Sequence, residues 1–279
     1  MLSFDAPSVL PALLTPFDER GEIDAGALAA HVEFLIEAGV HGIMPCGTTG
    51  ETALLEPDET LSVVRAVVEA AAGRVPVVAH VGRPATTTTA RLIEAAIDAG
   101  AAGVSAIVPY YYAFGDREIV AHFRALLRAA GDTPLLAYQF PARTGNDLSP
   151  EAFGTLVGDG LAGLKDSTSD DDLHARYLEA APEAQVFVGS PSHLLHSLRH
   201  GSRGGVAALA NLRPDLVLAL AQAWRDDDPE AERLQEEVRA AERELAQEPP
   251  LVALKRGVSE LLAERGARYP SALRSPLGA

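Results

Sequence analysis

Lysine is almost missing from this chain. Of its 23 basic residues only two, Lys165 and Lys255, are lysines. The surplus of Ala, Arg and Gly has the look of a GC-rich coding bias, so each retained lysine draws attention before its position is known. Cysteine is scarcer still: the single Cys46 excludes an internal disulfide and fits a reducing cytoplasm, the expected location. Positive charge is short as well. A formal charge of −16 argues against nucleic acid and anionic membrane surfaces, which are bound through clustered Lys and Arg. No apolar run approaches the roughly 20 residues a membrane span needs, and the opening MLSFDAPSVL lacks a basic stretch leading into a long apolar one. HExxH, CxxC, P-loop and GxSxG patterns do not occur, which removes the usual zinc, nucleotide and serine-hydrolase readings.

What is present is alternation. Apolar residues make up 47% of the chain, enough for a large globular core. Short β-branched runs at 9–14, 42–46, 76–81, 103–108, 134–138, 162–166, 185–188 and 205–209 read as strands. Between them lie helical patterns, among them 25–38, 57–72, 87–99, 116–130 and 170–180, with Gly39, Gly73, Gly100 and Gly131 placed as C-terminal caps. Strand–helix alternation predicts a parallel sheet with right-handed crossovers, and eight strands close a (β/α)8 TIM barrel. An open doubly wound sheet would put a glycine-rich phosphate turn after its first strand, where this chain has Thr15-Pro16-Phe17. Three further helices, at 213–224, 229–246 and 251–264, read as a C-terminal helical extension. The predicted division is a barrel over 1–225 and a dependent helical extension over 226–279.

Active groups of such a barrel come from the C-terminal ends of its strands and the loops beyond. That rule selects Gly47-Thr48-Thr49-Gly50-Glu51, His80, Tyr110-Tyr111-Tyr112, Tyr138, Arg143, Lys165-Asp166-Ser167 and Gly189-Ser190. Lys165 follows the apolar run Leu161-Ala162-Gly163-Leu164, where burial favours the neutral, nucleophilic amine. An ion pair with Asp166 or another acid is the competing reading. The two threonines offer hydroxyls and backbone N–H groups to an anion such as a carboxylate, or else simply cap the next helix. Tyr138 is placed to relay protons, or to sit at the barrel rim with its hydroxyl satisfied. Arg143 suits a second carboxylate through bidentate contacts, although loop arginines are commonly just exposed. His80 is expected at the pocket rim. Lys255, beside Arg256 on a late amphipathic helix, is expected as a surface or interface charge.

Together these residues resemble the dihydrodipicolinate synthase / N-acetylneuraminate lyase family over essentially the whole chain. The resemblance rests on Leu14-Thr15-Pro16-Phe17, the GTTGE run at 47–51, Pro109-Tyr110-Tyr111, Tyr138-Gln139-Phe140-Pro141, Arg143-Thr144-Gly145 and Gly163-Leu164-Lys165-Asp166-Ser167. It implies a class I aldolase barrel, usually a homotetramer built as a dimer of dimers. Lys165 would form the imine with pyruvate or another 2-oxo acid, and Tyr138 would shuttle protons. Thr48 and Thr49 would hold the carboxylate, Thr48 also linking Tyr138 to a Tyr111 donated across the tight dimer interface. Arg143, the Val206 backbone, Gly189 and Ser190 would complete substrate binding. Neither a metal nor an organic cofactor is implied.

Within the family, Arg143 before Thr144-Gly145 resembles the synthases, which condense pyruvate with aspartate semialdehyde. Other positions depart from them: Lys165-Asp166-Ser167 stands where synthases commonly have Lys-Glu-Ala, and His80-Val81-Gly82 replaces Gly-Thr-Gly. Gly189-Ser190-Pro191 replaces an acidic run. The positions of the synthase lysine-feedback site fall on Pro57, Thr60, Pro84 and Thr88, so that regulation is not expected. Lys-Asp-Ser, the third tyrosine and the run 205–211 look more like 4-hydroxy-2-oxoglutarate and 2-keto-3-deoxy-sugar-acid aldolases. An aldolase acting on a small 2-oxo acid and an aldehyde is therefore the expectation, with a synthase second. A non-catalytic barrel that binds a small acid is the reading from another class.

Overall fold

The computed structural model describes residues 4–278. Seven parallel strands form one sheet: β1 (Ser8–Pro11), β2 (Val78–His80), β3 (Gly103–Ile107), β4 (Leu135–Gln139), β5 (Gly163–Asp166), β6 (Gln185–Val188) and β7 (Gly204–Ala207). Their order is β1-β7-β6-β5-β4-β3-β2. The edges β1 and β2 are joined by the segment expected as a second strand. Met44 bridges Ala12, Ile43 bridges Val77, and both contacts are parallel. Backbone bonds from Leu13 N–H to Met44 O at 2.9 Å and from Val78 N–H to Ile43 O at 2.9 Å seal the seam. The sheet therefore curls into an α/β barrel.

Segment 42–46 is thus not a regular strand. Pro45 has no N–H to give a ladder, and Cys46 turns to φ 61, which ends the extended run after two bridges. The last predicted strand is also shorter than expected: β7 stops at Ala207 and a 3₁₀ turn covers Leu209–Asn211.

Two close approaches fix how strands start. A Cβ at Gly163 would lie 2.0 Å from Gln185 O, and one at Gly204 would lie 1.8 Å from Ser8 O, so only glycine fits. Gly204 additionally holds φ 141.

Helices α1 (Ala25–Glu37), α2 (Pro57–Ala71), α3 (Thr86–Asp98), α4 (Asp116–Ala130), α5 (Pro141–Thr144), α6 (Pro150–Gly158), α7 (Asp171–Ala180) and α8 (Leu194–Arg199) follow the strands. Their starts are written locally. Asp24 caps α1 by accepting from Ala27 N–H at 2.9 Å, and Glu56 with Glu59 forms a capping box before α2. Apolar side chains of these helices and of outward strand positions form the largest core cluster. Inward positions Leu10, Val78, Leu136, Phe187 and Val206 form a separate cluster inside the barrel, closed below by Phe4, which meets Phe187 edge-on at 5.6 Å.

The chain ends in α9 (Pro214–Arg225), α10 (Glu230–Leu245) and α11 (Pro250–Glu264). Helix α10 is tied to the loop after β6: Gln235 accepts from Leu195 N–H at 2.8 Å and donates to Pro191 O at 3.0 Å. Helix α11 packs Leu254, Val258 and Leu262 against Leu14 and Ala27. Among the described residues no helix is long and apolar enough to cross a membrane.

Candidate active site

Strand periodicity builds the centre of the site. His80, Tyr138 and Lys165 lie two residues beyond Val78, Leu136 and Gly163, so they project on the same inward face, one step nearer the barrel mouth. Tyr138 and Lys165 are direct partners across β4 and β5. Lys165 Nζ lies 4.3 Å from the centre of the Tyr138 ring, and the His80 and Tyr138 rings meet edge-on with centres 5.5 Å apart. The Tyr138 hydroxyl in turn shares a hydrogen bond of 3.2 Å with Thr48 Oγ1. Lys165, Tyr138 and Thr48 are therefore brought together in three dimensions from three separate stretches of chain.

The ion-pair reading of Lys165 does not hold. Asp166, the next residue on the strand, faces outward. Its carboxylate meets His174 Nδ1 at 2.8 Å and accepts from Thr168 N–H at 2.9 Å, so it is fully engaged on the far side of the sheet. Among the described residues no carboxylate lies within ion-pair distance of Lys165, although it is only 3% exposed. The other buried nucleophile is unsuited: burial pushes the Cys46 thiol up to about 12, against a smaller opposing pull from Arg83.

His80 is not at the rim, as expected, but wholly buried within the barrel because its inward strand position leads to the interior. Burial above all, then the charges of Arg83 and Lys165, drives its imidazole well below its ordinary value, so it is neutral. Its Nδ1 shares a 3.4 Å contact with Ser105 Oγ, and Nε2 has no hydrogen-bond partner among the described residues.

Above this layer opens a cavity of about 280 Å³, lined by Thr48, Ile107, Tyr110, Arg143, Leu251 and Leu277 among others. Thr48 is where the cavity and the Tyr138–Lys165 pair meet. Thr49 is buried beside it. Arg143 sits on the short helix α5, with its guanidinium 5.9 Å from the centre of the Phe140 ring. Val206 is buried in β7, where it pairs with Leu10. Gly189 donates its N–H to Asp166 O at 2.6 Å, while the Ser190 hydroxyl is spoken for by Glu242 at 3.0 Å. Tyr111 stands apart. It is 85% exposed, holds φ 81, and stacks edge-on with Tyr112 at 5.1 Å rather than reaching Thr48 of its own chain.

Several site-shaping residues escaped the sequence reading. Asn146 clamps the tyrosine loop by donating to Pro109 O and Tyr112 O, both at 2.8 Å, while accepting from Phe114 N–H at 2.9 Å. Arg83 is buried with no carboxylate partner among the described residues and donates to Thr52, Thr60, Leu55 and Gly82 oxygens. Its only sequence signal was a basic residue two positions past the expected strand 76–81. Lys255 corrects an expectation outright. It is completely buried on α11 and paired with Glu51 at 2.5 Å, because its face of the helix packs on the barrel while Arg256 takes the solvent side. Among the described residues no group of three or more His, Cys, Asp or Glu side chains is arranged to hold a metal ion.

The model of the dihydrodipicolinate synthetase family matches residues 5–279. The chain belongs to that family. An uncharacterized DapA-like lyase of Halobacterium salinarum is 40% identical over 96% of this chain and 87% of its own length. An N-acetylneuraminate lyase of Rhizobium meliloti is 37% identical over 81% of this chain and 76% of its own. Among solved structures, a prophage protein of E. coli K12 in the dihydrodipicolinic acid synthase family, determined in complex with pyruvate, superimposes with a TM-score of 0.91. It is 26% identical, over 97% of this chain and 92% of that one. Membership of this synthetase family agrees with the parallel α/β barrel.

Proposed function

We propose that this chain is a class I aldolase, a lyase whose Lys165 forms a Schiff base with pyruvate or another 2-oxo acid. The observation that carries this is a buried lysine with no carboxylate partner, set against a tyrosine whose hydroxyl is held by Thr48. The named lyases among its relatives and the pyruvate bound by a structural neighbour support it. On this reading the fold is a complete (β/α)8 TIM barrel over 1–225, with a three-helix C-terminal end whose last part, 226–279, does not fold alone. A lone buried thiol suits the reducing cytoplasm.

The Nζ of Lys165 attacks C2 of the oxo acid. Tyr138 passes a proton to the departing hydroxyl, water leaves, and an iminium forms. For cleavage, Tyr138 takes the proton of the C4 hydroxyl and the C3–C4 bond breaks. Its electron pair moves through C2 to the iminium nitrogen, giving an enamine and a free aldehyde. Protonation at C3 and attack of water at C2 release pyruvate and restore the amine. Thr48 and Thr49 hold the carboxylate, with the Val206 backbone and Gly189 beside it. Arg143 faces the aldehyde half in the cavity. Ser190 contributes through its bond to Glu242.

The substrate is a 4-hydroxy-2-oxo acid of the hydroxy-oxoglutarate or keto-deoxy-sugar-acid type. Arg143 on the cavity wall favours one second reading, a 4-hydroxy-tetrahydrodipicolinate synthase that condenses pyruvate with aspartate semialdehyde. A lactate dehydrogenase-coupled assay separates them: pyruvate release from 4-hydroxy-2-oxo acids is expected to exceed pyruvate consumption with the semialdehyde, and the reverse ranking rejects the aldolase. The exposed Tyr111 and Tyr112, 85% and 68% accessible, supply a self-association face for a homotetramer in which Tyr111 completes the Tyr138–Thr48 relay of a neighbour. Light scattering is expected to give four times the chain mass of 29.3 kDa; a monomer contradicts this assembly.

A further inference from the structure

Both lysines of the chain are buried, and both are linked to the same loop. Lys165 reaches the 47–51 loop through Tyr138 and Thr48. Lys255 reaches it through Glu51, whose side chain is entirely shielded from solvent. Glu51 holds φ 61, a left-handed conformation that a non-glycine residue keeps only when its surroundings dictate it. Its side chain is held by the C-terminal end of the chain. Oε1 of Glu51 lies 2.5 Å from Lys255 Nζ, and Oε2 accepts the backbone N–H of Arg274 at 2.9 Å.

The same two cations fasten the terminal segment. Lys255 donates to Ala272 O at 2.8 Å and lies 4.4 Å from the centre of the Phe17 ring. The Arg274 guanidinium lies 4.5 Å from that ring. It grips both oxygens of Glu59 at 2.6 Å, donates to Leu54 O at 3.0 Å, and also bonds Gly21 O. Three residues further on, Leu277 lines the cavity together with Thr48 and Arg143.

A buried ion pair is roughly neutral for stability when compared with a well-packed apolar pair, so stability alone is a weak reason for this one. Position is a better reason. Glu51 N–H donates to Thr48 O at 3.1 Å, and Thr48 Oγ1 meets the Tyr138 hydroxyl at 3.2 Å. Thr15 Oγ1 donates to Gly50 O at 2.9 Å, so the loop is pinned from the segment after β1 as well. Displacing the Glu51 carboxylate moves the backbone N–H that the Thr48 carbonyl accepts.

We propose that Lys255, backed by Arg274, is a positioning residue: through Glu51 it holds Thr48 and Thr49 in register with Tyr138 and Lys165. The C-terminal segment thereby becomes a fixed wall of the cavity rather than a trailing tail. The catalytic consequence rests on the Schiff-base reading; the structural link does not.

Three measurements on wild-type protein, Lys255→Met and the double variant Glu51→Gln/Lys255→Met test it. They are borohydride trapping titrated with pyruvate, amide hydrogen exchange over residues 47–55, and urea unfolding. Met keeps the stem and removes the charge, and the double variant leaves no orphaned buried charge, so it serves if the single variant does not fold. In both variants half-saturating pyruvate is expected to rise about 10-fold or more, since small misplacements of binding groups are costly. Exchange over 47–55 quickens, while saturating pyruvate still gives an adduct at Lys165. The double variant regains urea stability without regaining pyruvate affinity. A merely structural role would restore both together; that result, or unchanged exchange over 47–55, overturns the proposal. Arg274→Ala, at a partly exposed position, is expected to shift the same readouts less, and no shift there removes Arg274 from the account. A wild-type chain that forms no adduct rejects the Schiff-base reading, and the exchange experiment then still decides whether Lys255 holds the loop.

Discussion

Tyr138 touches three groups that differ in kind: the amine of Lys165 beneath its ring, the edge of neutral His80, and the hydroxyl of Thr48 at its own oxygen. Only the last contact involves the proton that the proposed chemistry must move. Tyr138→Phe keeps the ring and both ring contacts while deleting that proton. Removing a general acid–base typically costs about 10²–10⁴-fold in rate. The expected outcome is a kcat lowered within that range, with half-saturating pyruvate little changed; an unaltered kcat assigns proton transfer to another group. Lys165 and Tyr138 were legible as candidates because strand alternation and strand-end placement are local properties. Whether Lys165 was free or paired was not legible, since Asp166 is its neighbour in sequence but lies across the sheet in space.

Elements were readable where their patterns are local and blurred where pairing decides. Seven of the expected strand regions contain ladders, whereas 42–46 contributes two bridges because Pro45 and the turned Cys46 cut it short. Lys255 shows the limit most clearly. Amphipathic spacing on α11 says that one face is buried, but the partner that makes burial of a cation tolerable, Glu51, lies near the other end of the chain. The strand starts carry a prediction of their own. Gly204→Ala would put a methyl 1.8 Å from the Ser8 carbonyl at a φ of 141, and β1 and β7 would have to separate to admit it. Strain and lost pairing together are expected to cost about 3 kcal/mol or more in urea unfolding. Gly47→Ala, with open space around its Cβ, is the control for a glycine change near the mouth. Equal stability of the two variants contradicts this reading of the seam.

At the scale of the whole molecule, buried histidines set the acid limit. Burial lowers His31 to about 4, only partly opposed by its bond to the Asn211 carbonyl, and burial alone lowers His122 to about 4. Burial, with the charges of Arg83 and Lys165, lowers His80 as well. The unfolded chain takes up protons near the ordinary value of 6.5, whereas the folded chain resists until about 4. These groups therefore contribute full stability above about pH 6.5, and that contribution is lost as pH falls towards 4. Each contributes a slope of about 1.4 kcal/mol per pH unit within the window. The urea midpoint is expected to drop clearly between pH 7.5 and pH 5; an unchanged midpoint contradicts neutral burial of these rings.

A chain with two lysines makes the central claim unusually direct to test. Native protein is incubated with pyruvate, reduced with borohydride, and its intact mass and peptide map are read, alongside Lys165→Ala. The account predicts one reduced pyruvate adduct on the peptide carrying Lys165, none on the peptide carrying Lys255, and none in the variant. No adduct on native protein, or an equal yield in Lys165→Ala, would contradict it.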